Sequence, residues 1–211
     1  MQEGVAVPEV PAAPEVPAAP EVPAVPAVRR RTDAGRNRAR ILGAARELFT
    51  EQGPDAQMDA IAARAGVAVG TLYNHFATKQ VLLAAALRAR LTETAAEVRA
   101  ASARSAAGAD PWDEFSALFR RLAAQQLVDR AFKSAAAALG VGASFEGPEA
   151  AELVEAVDEL LTRLSRAGVL RADVGTGDLA LLLYGLPGPD VPEPVRARHL
   201  DIIIAGLRAP A

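Results

Sequence analysis

Residues 58–76 hold two apolar patterns of helical period with the turn at Gly66 between them. Met58, Ile61, Ala62 and Ala65 fall at i, i+3, i+4 and i+7, Gly66 stops the run, and Leu72 and Phe76 resume at a spacing of four. Helices this short are marginal alone and need tertiary partners. Joined by the tight turn at residues 65–68, they make a helix-turn-helix, whose second helix is expected over residues 70–76.

That second helix sits in the stretch "GVAVGTLYNHFATK", which collects hydrogen-bond donors at Thr71, Tyr73, Asn74, His75 and Lys79. At about 100° per residue, Leu72 and Phe76 lie about 40° apart and face the core. Gly70, Thr71 and Asn74 spread over the opposite side, with Tyr73 and His75 on the flanks. A catalytic or metal site needs converging groups. These donors fan outward, as contacts to a phosphate backbone require. Gly70 leaves room for close approach to bases, and Val69 suits a thymine methyl.

The neighbouring segments carry the same helical period. Ile41, Leu42, Ala45, Leu48 and Phe49 form one face of a helix that begins near Arg36 and ends at Gly53-Pro54. A long helix is expected from Thr78, a good N-cap, to about Arg104, with Leu83, Leu87 and Leu91 at i+4 spacing. Asp110-Pro111 is a start signal. Further helices are expected at 111–128, 130–139, 149–167, 177–186 and 192–208, with loops at 140–147 and 185–191. Strand-type alternation is absent, so the fold class is all-α.

Charge is distributed unevenly along the 211 residues. The formal net charge is −3, yet residues 29–90 hold 11 Arg/Lys against 5 Asp/Glu, and residues 91–211 hold 12 against 17. Any polyanion partner therefore belongs to residues 29–90. Residues 1–28 carry Glu3, Glu9, Glu15 and Glu21 and no basic side chain. Their EVPAAP repeats break helices and offer no large residue for a core, so residues 1–35 read as a disordered, PPII-rich tail. Such a tail is a spacer, a docking segment or nothing, and its acidic units do not themselves seek DNA. Cysteine is absent and only 2 histidines occur, which removes thiolate metal sites and limits histidine chemistry. No apolar run has transmembrane length, and no signal peptide is recognisable. These features point to the cytoplasm.

Four segments, "RARILGAARELFTEQG", "MDAIAARAGV", "VGTLYNHF" and "TKQVLLAAAL", in this order and spacing, resemble the DNA-binding domain of the TetR family of repressors over about residues 36–90. The resemblance implies that Tyr73, His75 and Lys79 bind backbone phosphates. It implies that Val69, Gly70, Thr71 and Asn74 face bases, and that Arg38 contacts DNA near the start of the first helix. Arg29, Arg30 and Arg31 precede the domain as a flexible arm for a groove or for phosphates. Two positions depart from the family's pattern. Gln57 and Ala68 stand where Ser or Thr often cap the second and third helices, and both are poor caps.

The resemblance assigns residues 36–82 to a three-helix DNA-binding domain and residues 83–211 to a helical ligand-binding and dimerisation domain. Trp112, Phe115, Phe119, Phe132 and Phe145 are the candidate lining of an effector pocket; each is equally an ordinary core aromatic. The last two helices are apolar on nearly all sides. Leu182, Tyr184, Leu200, Ile203, Ile204 and Leu207 are the candidate dimer interface, the alternative being burial within one subunit.

Other patterns point away from chemistry. His199 has no second histidine nearby. Glu149, Glu152, Glu155, Asp158 and Glu159 read as a solvated helix face, and "GVGAS" and "GTGD" lack a phosphate loop's context. The expectation is a non-enzymatic, cofactor-free homodimer. It binds an operator in double-stranded DNA, touches no membrane, and releases DNA on binding a small-molecule effector. The rival is a helical small-molecule sensor or interaction module without DNA regulation.

Overall fold

The computed structural model describes residues 27–142 and 146–210, with side chains from Asp33 onward. Among the described residues eight helices follow one another: α1 (Ala27–Gln52), α2 (Met58–Ala65), α3 (Val69–His75), α4 (Lys79–Ala106), α5 (Pro111–Ala138), α6 (Pro148–Arg166), α7 (Thr176–Tyr184) and α8 (Glu193–Leu207). A 3-10 turn at Gly53–Asp55 joins α1 to α2. An antiparallel bridge between Leu170 and Arg208 fastens the C-terminal end.

Local signals placed most of the ends. Gly66 takes the left-handed conformation at φ 62°, and its amide and that of Val67 close the end of α2. Thr78 Oγ1 accepts from the Val81 amide at 3.2 Å, and Asp110 Oδ1 from the Asp113 amide at 2.9 Å. Gln57 and Ala68 make no side-chain cap, as their chemistry predicts. One start differs. α1 begins at Ala27 rather than near Arg36, so the backbone of Arg29, Arg30 and Arg31 belongs to a helix and not to an arm. The prolines of the tail end at Pro26, and the arginine- and alanine-rich residues after it favour helix.

The second difference concerns α5. Two helices, at 111–128 and 130–139, are replaced by one rod of 28 residues. No glycine or proline interrupts it, and the polar pair Asp129-Arg130 is not a break. Asp129 is buried and accepts from Arg90 Nε at 2.9 Å. Arg90 also donates to Gln125 and lies near Glu97 and Glu93. Burial works against its charge, but these acceptors more than offset that and hold its pKa above the ordinary value. Lys133, one turn beyond Asp129, is pushed the other way, chiefly by burial.

The described residues form two apolar cores. Ile41, Leu48, Phe49, Ile61, Leu72, Phe76, Leu82 and Leu83 form the first, together with Phe132, Ala135 and Ala136 from α5. Val98, Phe115, Phe119, Leu160, Leu164, Leu170, Ile204 and Leu207 are among the residues of the second. Both α4 and α5 run through both cores, so neither core moves without bending or shifting the same two rods.

Candidate nucleic-acid interface

The recognition helix α3 is held from behind. Leu72 and Phe76 are 0% and 1% exposed, as the helical wheel predicts. Val69, Gly70, Tyr73 and Asn74 are exposed, while Thr71 and His75 are half-buried at the edges. The His75 ring lies 6.1 Å from the Phe76 ring. A side chain added at Gly70 would meet nothing within 4 Å, so the chain's own packing does not demand glycine there. What Gly70 leaves open is space on the outer face.

Cations around this face are sorted by their partners. Of the eight Arg and Lys side chains described between Asp33 and Arg90, five are matched by carboxylates. Arg64 forks onto Glu51 at 3.0 Å and reaches Glu47 at 3.2 Å, clamping α2 to α1. Its hydrogen bond holds the Glu51 carboxyl below the usual range. Arg46 joins Glu93 at 2.8 Å, linking α1 to α4. Arg36 pairs with Asp33 and Arg88 with Glu149.

Arg38, Arg40 and Lys79 have no carboxylate partner among the described residues. Each is held by neutral groups instead. The Arg38 guanidinium lies 4.8 Å over the Phe76 ring. Arg40 donates to the Gly66 carbonyl at 2.8 Å and weakly to Asn37. Lys79 Nζ donates to the Pro54 carbonyl at 3.1 Å and lies 6.0 Å from the Phe49 ring centre. Neutral partners orient these side chains without cancelling their charge, which is what a phosphate-binding surface needs.

Arg40 was not singled out in the sequence. Its role depends on a contact 26 positions away, which local pattern does not reveal. It also makes the turn sensitive. At Gly66 a Cβ would lie 2.5 Å from Arg40 Nη2, on a backbone at φ +62°. Gly66→Ala is expected to lower stability by about 1–2 kcal/mol from the backbone conformation alone and to displace Arg40. Urea unfolding checks this, and an unchanged midpoint would contradict it.

The pocket candidates do not come together. Trp112, Phe115 and Phe119 stack along α5 in the second core, at ring separations of 5.6 and 5.9 Å. Phe132 is in the other core, 6.4 Å from Phe49, because α5 carries it there. Phe145 lies outside the described residues. The candidate dimer residues also divide. Ile204 and Leu207 are 5% exposed and belong to the chain's own core, since that side of α8 packs inward. Leu182, Leu200 and Ile203 are half-buried, and Tyr184 is 76% exposed. Leu181, Val195 and Ile202, absent from the candidate set, are exposed beside it. His199 is exposed. The acidic side chains of α6 are exposed except Glu149, which is half-buried and reaches Arg88. Among the described residues, no helix is long and apolar enough to cross a membrane.

Two family models match the chain. Residues 41–86 match the one described as "Bacterial regulatory proteins, tetR family", and residues 110–209 match "Transcriptional regulator SbtR-like, C-terminal domain". The HTH-type transcriptional regulator UidR of Escherichia coli (strain K12) is 47% identical over 55 residues; that stretch is 26% of this chain and only 28% of the relative's length. A TetR transcription regulatory protein from Mycobacterium vanbaalenii is 32% identical with a TM-score of 0.70, covering 85% of this chain and 99% of that one. A structure described as a gamma-butyrolactone receptor (ArpA like protein) is 28% identical with a TM-score of 0.54, covering 85% of this chain and 91% of its own. With a helix-turn-helix of this geometry, both halves matched and one relative covered almost end to end, the chain belongs to the TetR family of transcriptional regulators.

Proposed function

We propose that the chain is a homodimeric repressor that binds a palindromic operator and is released from it by a small, mostly apolar effector. The observation that carries the DNA-binding part is the trio Arg38, Arg40 and Lys79, uncancelled by carboxylates and flanking α3. Tyr73, His75 and Lys79 bind phosphates, and Arg38 extends that contact along α1. Val69, Gly70, Thr71 and Asn74 meet base edges. Two recognition helices roughly 34 Å apart then reach successive major grooves.

Exposed Leu181 and Tyr184 on α7, with Val195 and Ile202 on α8, support dimerisation. Val195 and Ile202 are seven residues apart and so share one helix face. Leu181, Leu182, Ile202, Ile203 and Gly206 line a groove that is open to solvent. A second copy of the same face fits it in an isologous contact. Leu181→Glu with Ile202→Glu is expected to weaken self-association by about 100-fold or more, since it places charges in the contact. Sedimentation equilibrium measures this; a dimer of undiminished stability would place the interface elsewhere.

The effector site is placed in the second core, around Trp112, Phe115 and Phe119. Ser116 Oγ is buried there without a hydrogen-bond partner among the described residues. An apolar body with one hydrogen-bonding group suits this lining, and the likeness to a gamma-butyrolactone receptor supports that class. Binding shifts α4 and α5, and the shift reaches α3 because both rods also build the first core. Trp112 is the single tryptophan, so its fluorescence reports effector binding directly. In this reading the chain regulates rather than catalyses.

Footprinting on the DNA upstream of the protein's own gene, at low and high salt, tests the reading. A protected palindrome whose affinity falls steeply with salt is expected. Absence of protection there and in a genome-wide selection of bound fragments, by a folded dimer, would replace it with a sensor that has no DNA role.

A further inference from the structure

A polar layer lies between the two cores. α4 gives Leu87 to the first core and next Ala95 to the second, while α5 gives Leu122 to the second and next Phe132 to the first. In that interval Arg90 of α4 meets Gln125 and Asp129 of α5. Its Nε donates to Asp129 Oδ2 at 2.9 Å, its Nη2 donates to Gln125 Oε1, and its Nη1 lies 3.5 Å from Glu97 Oε1. Gln125 Nε2 donates to the same Glu97 at 3.1 Å, which closes the ring. The Arg90 and Asp129 side chains are 11% and 9% exposed. Glu93 extends the layer to α1, at 3.7 Å from Arg90 and 2.8 Å from Arg46. Lys133, one turn past Asp129, donates to Gln126 instead.

Stability alone does not call for such a layer. Well-packed apolar side chains of similar volume often replace a buried ion pair without loss. A guanidinium fork adds direction. Its donors are fixed in one plane, and Gln125 and Asp129 sit one helical turn apart, so all its bonds are made together at one relative position of the rods. Apolar layers tolerate repacking far better.

We propose that Arg90 is a positioning residue for DNA binding: its fork onto Gln125 and Asp129 locks α4 against α5 in the register that presents α3 to the operator. This rests on the reading of the chain as an operator-binding dimer, and it adds the element that holds the DNA-binding arrangement. α4 and α5 both build the first core, which also contains Leu72 and Phe76 of the recognition segment. Arg46 carries the constraint to α1 through Glu93. Sliding α4 along α5 breaks the fork while both cores stay packed, so the lock separates two arrangements of a folded chain. An effector that moves the rods works against this lock, and its differential affinity for the moved state must exceed what the fork contributes.

The test combines Arg90→Met with Asp129→Leu in the full chain, which removes both charges at roughly constant volume. Three quantities are read: the urea midpoint, the affinity for the duplex recovered by footprinting or fragment selection, and one distance within the subunit. For the distance, spin labels are placed at Asp59→Cys on α2 and Glu159→Cys on α6, both exposed, in a chain without other cysteines. Dilution with unlabelled chain confines the measurement to one subunit, so it needs neither DNA nor a dimer. The expected result is an undiminished midpoint, affinity lower by at least about 10-fold, and a distance distribution shifted or broadened by more than about 2 Å. Arg90→Lys keeps a charge beside Asp129 but loses the fork, and is expected to change affinity and distance in the same direction. It carries the test if the apolar pair does not fold. Unchanged affinity in the folded apolar pair would overturn the proposal, and so would lower affinity at an unchanged distance. Full recovery of both quantities by lysine would reduce Arg90 to charge compensation and overturn the positioning role. Failure of the unmodified chain to bind any duplex would overturn the DNA reading itself, a result visible before any variant is made.

Discussion

Truncating Phe132 to alanine destabilises the DNA-binding half by about 3–5 kcal/mol and abolishes DNA binding near physiological temperature. Phe132 lies outside the family's N-terminal match at residues 41–86, yet it is 1% exposed and packs on Phe49 in the first core. Removing the ring leaves a cavity beneath α1, between helices that position α3. Native-state hydrogen exchange locates the effect. Protection in α1 and α2 is expected to fall, with the second core less affected. Phe119→Ala removes a ring of equal size from the second core and is the control. It should leave α1 and α2 protected. An unfolding midpoint for Phe132→Ala equal to that of the unmodified chain would show that α5 does not support the DNA-binding domain.

The double variant Tyr73→Phe/Lys79→Ala is expected to lose operator affinity by about 1000-fold. Each half-site loses two phosphate contacts worth about 1 kcal/mol apiece, and a dimer loses them twice, about 4 kcal/mol in total. The salt dependence of binding discriminates a lost contact from a damaged fold. Removing one lysine per subunit makes the slope of log affinity against log salt shallower by about 2. A folding defect lowers the active fraction and leaves the slope alone. Lys79 bonds the Pro54 carbonyl in the free chain, so thermal unfolding of the variant accompanies the binding curves. Affinity equal to that of the unmodified chain would remove Tyr73 and Lys79 from the interface.

The difference between these two predictions lies in where their evidence is found. Tyr73 and Lys79 were legible in the sequence. Their segment lies between strong local punctuation, Gly66 before it and the Thr78 cap within it, and Leu72 and Phe76 fix which side faces inward. Helical period alone therefore put Tyr73 and Asn74 at the surface, whereas Thr71, expected on the outer side with Asn74, is half-buried. The same local rules found the α2 stop and the starts of α4 and α5, because glycine conformation and capping act within a few residues.

Where the sequence misled, a long-range contact had decided the matter. Phe132 looked like one more pocket aromatic among five. The absence of glycine and proline lets α5 continue through Asp129, but nothing near Phe132 in the chain says that its ring meets Phe49 in the first core. Ile204 and Leu207 looked like partners for a second subunit, whereas α8 turns that side onto the second core. In a helix apolar nearly all round, composition cannot tell an inward face from an outward one. Arg40 looked no different from Arg46 or Arg64 until the folded chain placed carboxylates beside the latter two and only neutral groups beside Arg40. The sequence by itself determined an all-α chain with a helix-turn-helix and the set of donors on its outer face, since those follow from periodicity and nearest-neighbour chemistry. Tertiary structure alone decided which cations keep their charge available and that two rods join the cores, since both follow from pairings that only packing brings within reach.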